Sequence, residues 1–111
     1  MTSATYILNA FSFNMLDITA LGGTVNVAAS ELTLEEAQEL AQGAESAVGH
    51  PDTANVFSSV LGLDVAANRV SVSLGMGDVV LVGQYRGPRL QEGATELPEG
   101  ATIQWLRVEV Q

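Results

Sequence analysis

A chain of 111 residues fits one domain whose core needs neither disulfides nor a structural metal. A composition of 47% hydrophobic and 15% charged residues excludes a disordered chain, and with no Cys and one His there is no disulfide, no thiolate nucleophile and no multi-histidine metal site within one copy. Thirteen acids against four Arg give a formal net charge of −9, which argues against duplex DNA as a partner because the field of the whole molecule repels a polyanion.

Met1-Thr2-Ser3-Ala4-Thr5 lacks the basic and long apolar regions of a signal peptide, and no apolar run is long enough to span a bilayer. A soluble, cytoplasmic protein with no membrane partner is expected. Residues 5–9 are rich in β-formers and read as a short buried strand. Phe11, Met15 and Leu16 have helical spacing, enough for one turn pressed on the core. Residues 23–29 alternate as a strand does. Thr33-Leu34-Glu35-Glu36 is a capping box, and the helix it opens runs to about residue 44 with Leu34, Ala37, Leu40 and Ala41 on its core face. Glu35, Glu36 and Glu39 fall mostly on the opposite, solvated face.

Gly49 and Pro51 break the chain before a second helix over residues 53–63, with Gly62 near its end. Three strands are expected after it, over 69–74, 78–86 and 102–110, the first two joined by a hairpin at Gly75-Met76-Gly77-Asp78. Between the last two strands lies a fourteen-residue loop, 87–100, long enough to suggest a function, for example as a mobile cover. The order β, short α, β, α, α, β, β, β gives one α/β domain over residues 1–111: a single mixed sheet of about five strands with packed helices. So small a domain with so few charges leaves apolar surface to bury, which favours a twofold homodimer.

Residues 1–68 hold eight acids and no Arg or Lys, so an anion site must draw on Arg69, Arg86, Arg89 or Arg107. His50 stands at a loop-to-helix junction, where backbone N–H groups are free to meet an anion, and histidine can hold and release a proton near neutral pH. Its alternative role is a cap or an ordinary surface histidine. Arg86 and Arg89 flank Gly87-Pro88 at a strand end, a turn that lets two guanidinium forks converge on a phosphate, the alternative being salt bridges to nearby acids. Arg69 opens a strand, where a structural ion pair is the simpler role. The carboxylates form no metal-binding pattern, and no Walker A, dinucleotide or Gly-x-Ser-x-Gly motif is present, so no cofactor is expected.

Four blocks in order carry a resemblance that spans almost the whole chain. They are Leu8-Asn9-Ala10-Phe11-Ser12-Phe13-Asn14-Met15-Leu16, Val48-Gly49-His50-Pro51-Asp52-Thr53, Asn68-Arg69-Val70 and Pro88-Arg89-Leu90-Gln91-Glu92-Gly93. Together they resemble the small viral anti-CRISPR proteins, with bacterial and archaeal relatives, that act as ring nucleases against type III CRISPR signalling. The resemblance implies a dimer whose central cleft holds cyclic tetra-adenylate and cuts it, without a metal, into linear di-adenylates with 2′,3′-cyclic phosphate ends.

On that resemblance His50 is the general acid, Arg89 stabilises charge on the scissile phosphate, and Glu92 orients Arg89 or His50. Ser12, Asn14 and backbone groups around Asn9, Ala10 and Phe11 hold phosphate or ribose. Gly49, Arg69 and Arg86 complete the ligand contacts. Viral members are richer in Lys, so the net charge here departs from their pattern. If the chain is phage-encoded, the compartment is the host cytoplasm. Two other functions fit the same residues: a protein that binds the cyclic oligoadenylate as a sponge or sensor without cutting it, and a nucleic-acid-binding viral protein.

Overall fold

A computed structural model describes residues 5–111, so the segment Met1-Thr2-Ser3-Ala4, read above for targeting features, lies outside the described residues. Strand β1 (Thr5–Leu8) leads through a single 3-10 turn (Phe13–Met15) and an irregular stretch to β2 (Val27–Leu32). Helix α1 (Leu34–Ala41), the two-residue strand β3 (Glu45–Ser46) and helix α2 (Pro51–Leu61) follow. Strands β4 (Val79–Arg86) and β5 (Thr102–Val110) complete one five-stranded sheet in the order β2-β5-β4-β1-β3. β1 pairs in parallel with both β3 and β4, whereas β5 runs antiparallel to β2 and β4, so the sheet is mixed. The α/β class and the single mixed sheet agree with the expectation from sequence.

Both helices pack on one face. Ile7, Leu81 and Trp105 from the sheet meet Ala37 and Ala41 of α1 and Ala54, Phe57 and Leu61 of α2. The other face carries Leu8, Val80, Val82, Val108 and Val110, covered by Leu16, Leu74 and partly buried side chains such as Phe11, Met15, Leu21 and Val72. Because irregular chain rather than helix shields this second face, β4 is buried on both sides. Its Val79-Val80-Leu81-Val82 run accordingly lacks the polar alternation of a half-exposed strand.

The start of α1 follows its sequence signal. Thr33 Oγ1 accepts the Glu36 N–H at 3.2 Å, and Glu36 Oε1 accepts the Thr33 N–H at 2.9 Å, completing the capping box. A Thr33→Ala variant is expected to lose about 1 kcal/mol of stability, read as a lower urea midpoint at unchanged m-value.

Several boundaries differ from the sequence reading. α2 begins at Pro51 rather than Thr53, because proline is preorganised for the first helical position and its missing N–H would have been unpaired there. α1 stops at Ala41, short of residue 44, and Gly43 takes φ +78° just beyond it. β2 lies four residues later than residues 23–29, its register set by the ladder from Val27 opposite Val110 to Leu32 opposite Trp105.

The largest correction concerns residues 69–74, which form no strand. They cross the sheet face as irregular chain, touching it through Val72 and Leu74, with one parallel bridge from Leu74 to Leu16. The outer side of β1 is occupied instead by Glu45 and Ser46. Gly75-Met76-Gly77-Asp78 is therefore a turn leading into β4 and not a hairpin, closed by Asp78 N–H to Gly75 O at 3.1 Å and Gly75 N–H to Asp78 Oδ2 at 2.8 Å.

Candidate functional site

Strands β1, β3 and β4 are mutually parallel, so their carboxyl ends lie at the same end of the sheet. β3 and β4 flank β1, and α2 connects β3 to β4. The carboxyl ends of parallel strands are the usual ligand position in α/β sheets. Three of the four motif blocks leave the sheet here: Asn9-Ala10-Phe11-Ser12 after β1, Gly49-His50 after β3, and Gly87-Pro88-Arg89 after β4.

His50 is the N-cap residue of α2, exposed, with extended backbone (φ −122°, ψ 124°) and no side-chain hydrogen bond to the helix. Its carbonyl accepts the Ala54 N–H at 2.9 Å, which leaves the N–H groups of the first turn to other partners. The surface-histidine alternative thus survives in part, but a capping role does not. Gly49 fits tightly: a Cβ there would stand 3.4 Å from Cγ of Arg69. The remaining block, Asn68-Arg69-Val70, joins the site by this contact and by Asn68 N–H to Val48 O at 2.8 Å, with a parallel bridge between Val48 and Ala67. Arg69 is exposed and makes no ion pair; among the described residues the sole salt bridge is Arg107 to Glu109 at 2.7 Å.

Arg89 and Glu92 lie on the loop 87–100, and both are exposed. They line an open concavity of about 600 Å³ together with Asp52, Leu90 and Gln91. A second one, of about 420 Å³, shares Arg89, Gln91 and Glu92 and continues to Gly93, Glu96 and Pro98. The loop is anchored at its base by the Tyr85 hydroxyl, which donates to Pro88 O at 2.5 Å. At its middle the Gly93 N–H donates to Asp52 Oδ1 at 3.0 Å.

The remaining residues divide by face. Arg86 alternates with Val80 and Val82, which directs it to the face where Phe11 packs and away from the helix side. It therefore groups with the Asn9-to-Asn14 block rather than with Arg89, and the pair does not converge as the Gly-Pro turn suggested. Ser12 N-caps the 3-10 turn, its Oγ accepting the Asn14 N–H at 3.2 Å, so its hydroxyl has a structural task. Phe11 meets exposed Phe13 edge to face at 5.7 Å. Ala10 and Asn14 are exposed and Asn9 half-buried.

Glu92 makes no hydrogen bond or ion pair with Arg89 or His50 among the described residues, contrary to the orienting contact expected of it. Held only through neighbouring Gly93, its side chain remains in solvent. Sequence reasoning gave no role to Asp52, although it stands in the second block. An acid in the first turn of a helix is a visible signal, but its partner 41 residues away is not.

No described helix is long and apolar enough to cross a membrane. The family described as STIV B116-like matches over residues 5–104. A relative from Sulfolobus islandicus filamentous virus (isolate Iceland/Hveragerdi), titled "Uncharacterized protein 26", is 34% identical over 90 residues, covering 79% of this chain and 72% of the viral one. The solved structure of B116 of Sulfolobus turreted icosahedral virus superposes with a TM-score of 0.76 at 26% identity, covering 96% of this chain and 99% of that one.

Proposed function

The chain belongs to the STIV B116-like family, and on the resemblance carried by its four motif blocks we propose that it works as a homodimeric ring nuclease acting on cyclic tetra-adenylate at the carboxyl ends of β1, β3 and β4. The observation that carries this reading is the gathering of separate motif blocks at one end of the sheet, around a helix terminus that no side chain of His50 caps. A helix N-terminus with unpaired N–H groups favours a phosphate, and the cations nearby are Arg69, beside Gly49, and Arg89, across the concavity from Asp52.

The chemistry asks little of the protein. A ribose 2′-oxygen bonds to the adjacent phosphorus, the bond from phosphorus to the 5′-oxygen breaks, and the 2′-hydroxyl proton leaves to solvent. His50 gives its proton to the departing 5′-oxygen, and Arg89 bears the extra negative charge on the phosphoryl oxygens as it builds up. The products are linear di-adenylates with 2′,3′-cyclic phosphate ends. A cyclic tetranucleotide has a twofold axis, so two copies of the chain supply two His50 side chains to opposite phosphates.

Incubation of the protein with cyclic tetra-adenylate and chelator, followed by chromatography, is expected to yield these di-adenylates over many turnovers. One observation favours binding without cleavage: Glu92 orients neither His50 nor Arg89. Tight binding of cyclic tetra-adenylate with no product over hours would establish the sponge or sensor in place of the enzyme. The net charge of −9 continues to weigh against a nucleic-acid-binding role.

A further inference from the structure

The loop that carries Arg89 and Glu92 has one hydrogen bond to the body of the domain between its two ends, among the described residues. In that bond Asp52 Oδ1 accepts the Gly93 N–H at 3.0 Å, across 41 residues of sequence. Its other bonds are internal or at its base: Ala94 N–H to Gln91 O at 3.0 Å, Ala101 N–H to Pro98 O at 3.0 Å, and Tyr85 to Pro88. A fourteen-residue segment held at its ends alone samples many arrangements, and a central tie to the body of the domain shortens the span that is free to do so.

Both ends of this tie stand beside the proposed chemistry. Asp52 is two residues from His50 on the rigid first turn of α2, and Gly93 directly follows Glu92. Gly93 holds φ +83°, a backbone conformation that other residues adopt only with strain, so the N–H is aimed at Asp52 by a glycine-specific geometry. Asp52 also lines the concavity it shares with Arg89 and Glu92.

We propose that Asp52 is a positioning residue for the reaction: through its bond to Gly93 it holds Arg89 and Glu92 at a set distance from His50. This rests on the ring-nuclease reading of the same site. The carboxylate has two separable effects. Its Oδ1 acceptor fixes the loop, while its negative charge at the helix N-terminus opposes an incoming phosphate.

Two variants separate them. Asp52→Asn keeps the acceptor and loses the charge; Asp52→Ala loses both. Turnover of cyclic tetra-adenylate should show kcat lowered about 10²-fold in Asp52→Ala, the scale set by a displacement of reacting groups of about 1 Å. In Asp52→Asn kcat should stay near the wild-type value. KM should fall roughly two- to fivefold in both, since both remove a half-buried negative charge near the phosphates.

NMR order parameters for residues 89–94 supply an arm independent of activity. They should drop in Asp52→Ala and hold in Asp52→Asn. Wild-type kcat in Asp52→Ala, or an Asn variant as impaired as the Ala variant, overturns the proposal. So do unchanged order parameters in Asp52→Ala, which would mean that the tether does not restrain the loop. A wild-type protein without turnover removes the ring-nuclease reading, and the catalytic assignment of Asp52 with it, while the order parameters still decide whether the tether exists.

Discussion

Replacing His50 with Ala should lower single-turnover cleavage of cyclic tetra-adenylate by about 10²-fold or more, the scale of a lost general acid, while the dissociation constant changes little. The split follows from where His50 sits. Its side chain makes no hydrogen bond to α2 and its backbone carbonyl supplies the helix contact, so truncation at Cβ leaves the first turn and its N–H groups as they are. Phosphate binding by backbone and guanidinium groups then persists without a proton donor. Circular dichroism and the thermal midpoint should match the wild type, because an exposed residue whose side chain has no hydrogen-bond partner among the described residues carries little stability. Full activity in the variant would remove His50 from the mechanism and return it to the ordinary surface histidines.

The largest stability effect is expected at Phe57, where substitution by Ala should cost about 3–5 kcal/mol. Phe57 is fully buried, meets Trp105 edge to face at 4.9 Å between ring centres, and joins α2 to β4 and β5. Its ring occupies the space a side chain would take at position 83: a Cβ on Gly83 would lie 2.6 Å from Phe57 Cζ and 2.6 Å from Trp105 Cζ3. Gly83→Ala alone should therefore destabilise by about 1–3 kcal/mol through overpacking. Combined with Phe57→Ala it should cost less, because loss of the ring removes one of the two clashes and leaves Trp105 room to shift away from the new methyl. Urea denaturation of the four proteins gives the coupling directly, and strict additivity would contradict the packing described.

α2 also connects this core to the proposed site. The face of the helix that holds Phe57 and Leu61 in the core fixes the position of its N-terminus, and with it His50 and Asp52. Phe57→Ala is therefore expected to lower activity beyond the fraction unfolded, because the first turn of α2 loses part of what fixes it.

Much of this architecture is legible in the amino-acid order. Thr33 and Glu36 announce α1, Gly49 and Pro51 mark the entry to α2, and the apolar run from Val79 to Val82 identifies the central strand, because capping, φ restriction and burial act over a few residues and leave local traces. Other features had no such trace. Residues 69–74 have the alternation of a strand yet form none, while Glu45 and Ser46, two polar residues, complete the sheet. A period of two reports which side chains face the core, and Val72 and Leu74 do reach it; it says nothing about whether an edge is open for hydrogen bonding. That edge belongs to whichever segment the chain brings beside β1.

The site divides in the same way. Composition and motif order put forward His50, Arg69, Arg86 and Arg89 as groups to meet a phosphate, since so few cations and one imidazole are present. Tertiary structure alone decided that Arg86 turns to the opposite face, that Ser12 spends its hydroxyl on a 3-10 cap, and that Asp52 reaches Gly93. Each of these depends on strand parity or on a contact between distant segments, and a linear pattern of residue types does not encode distances through space.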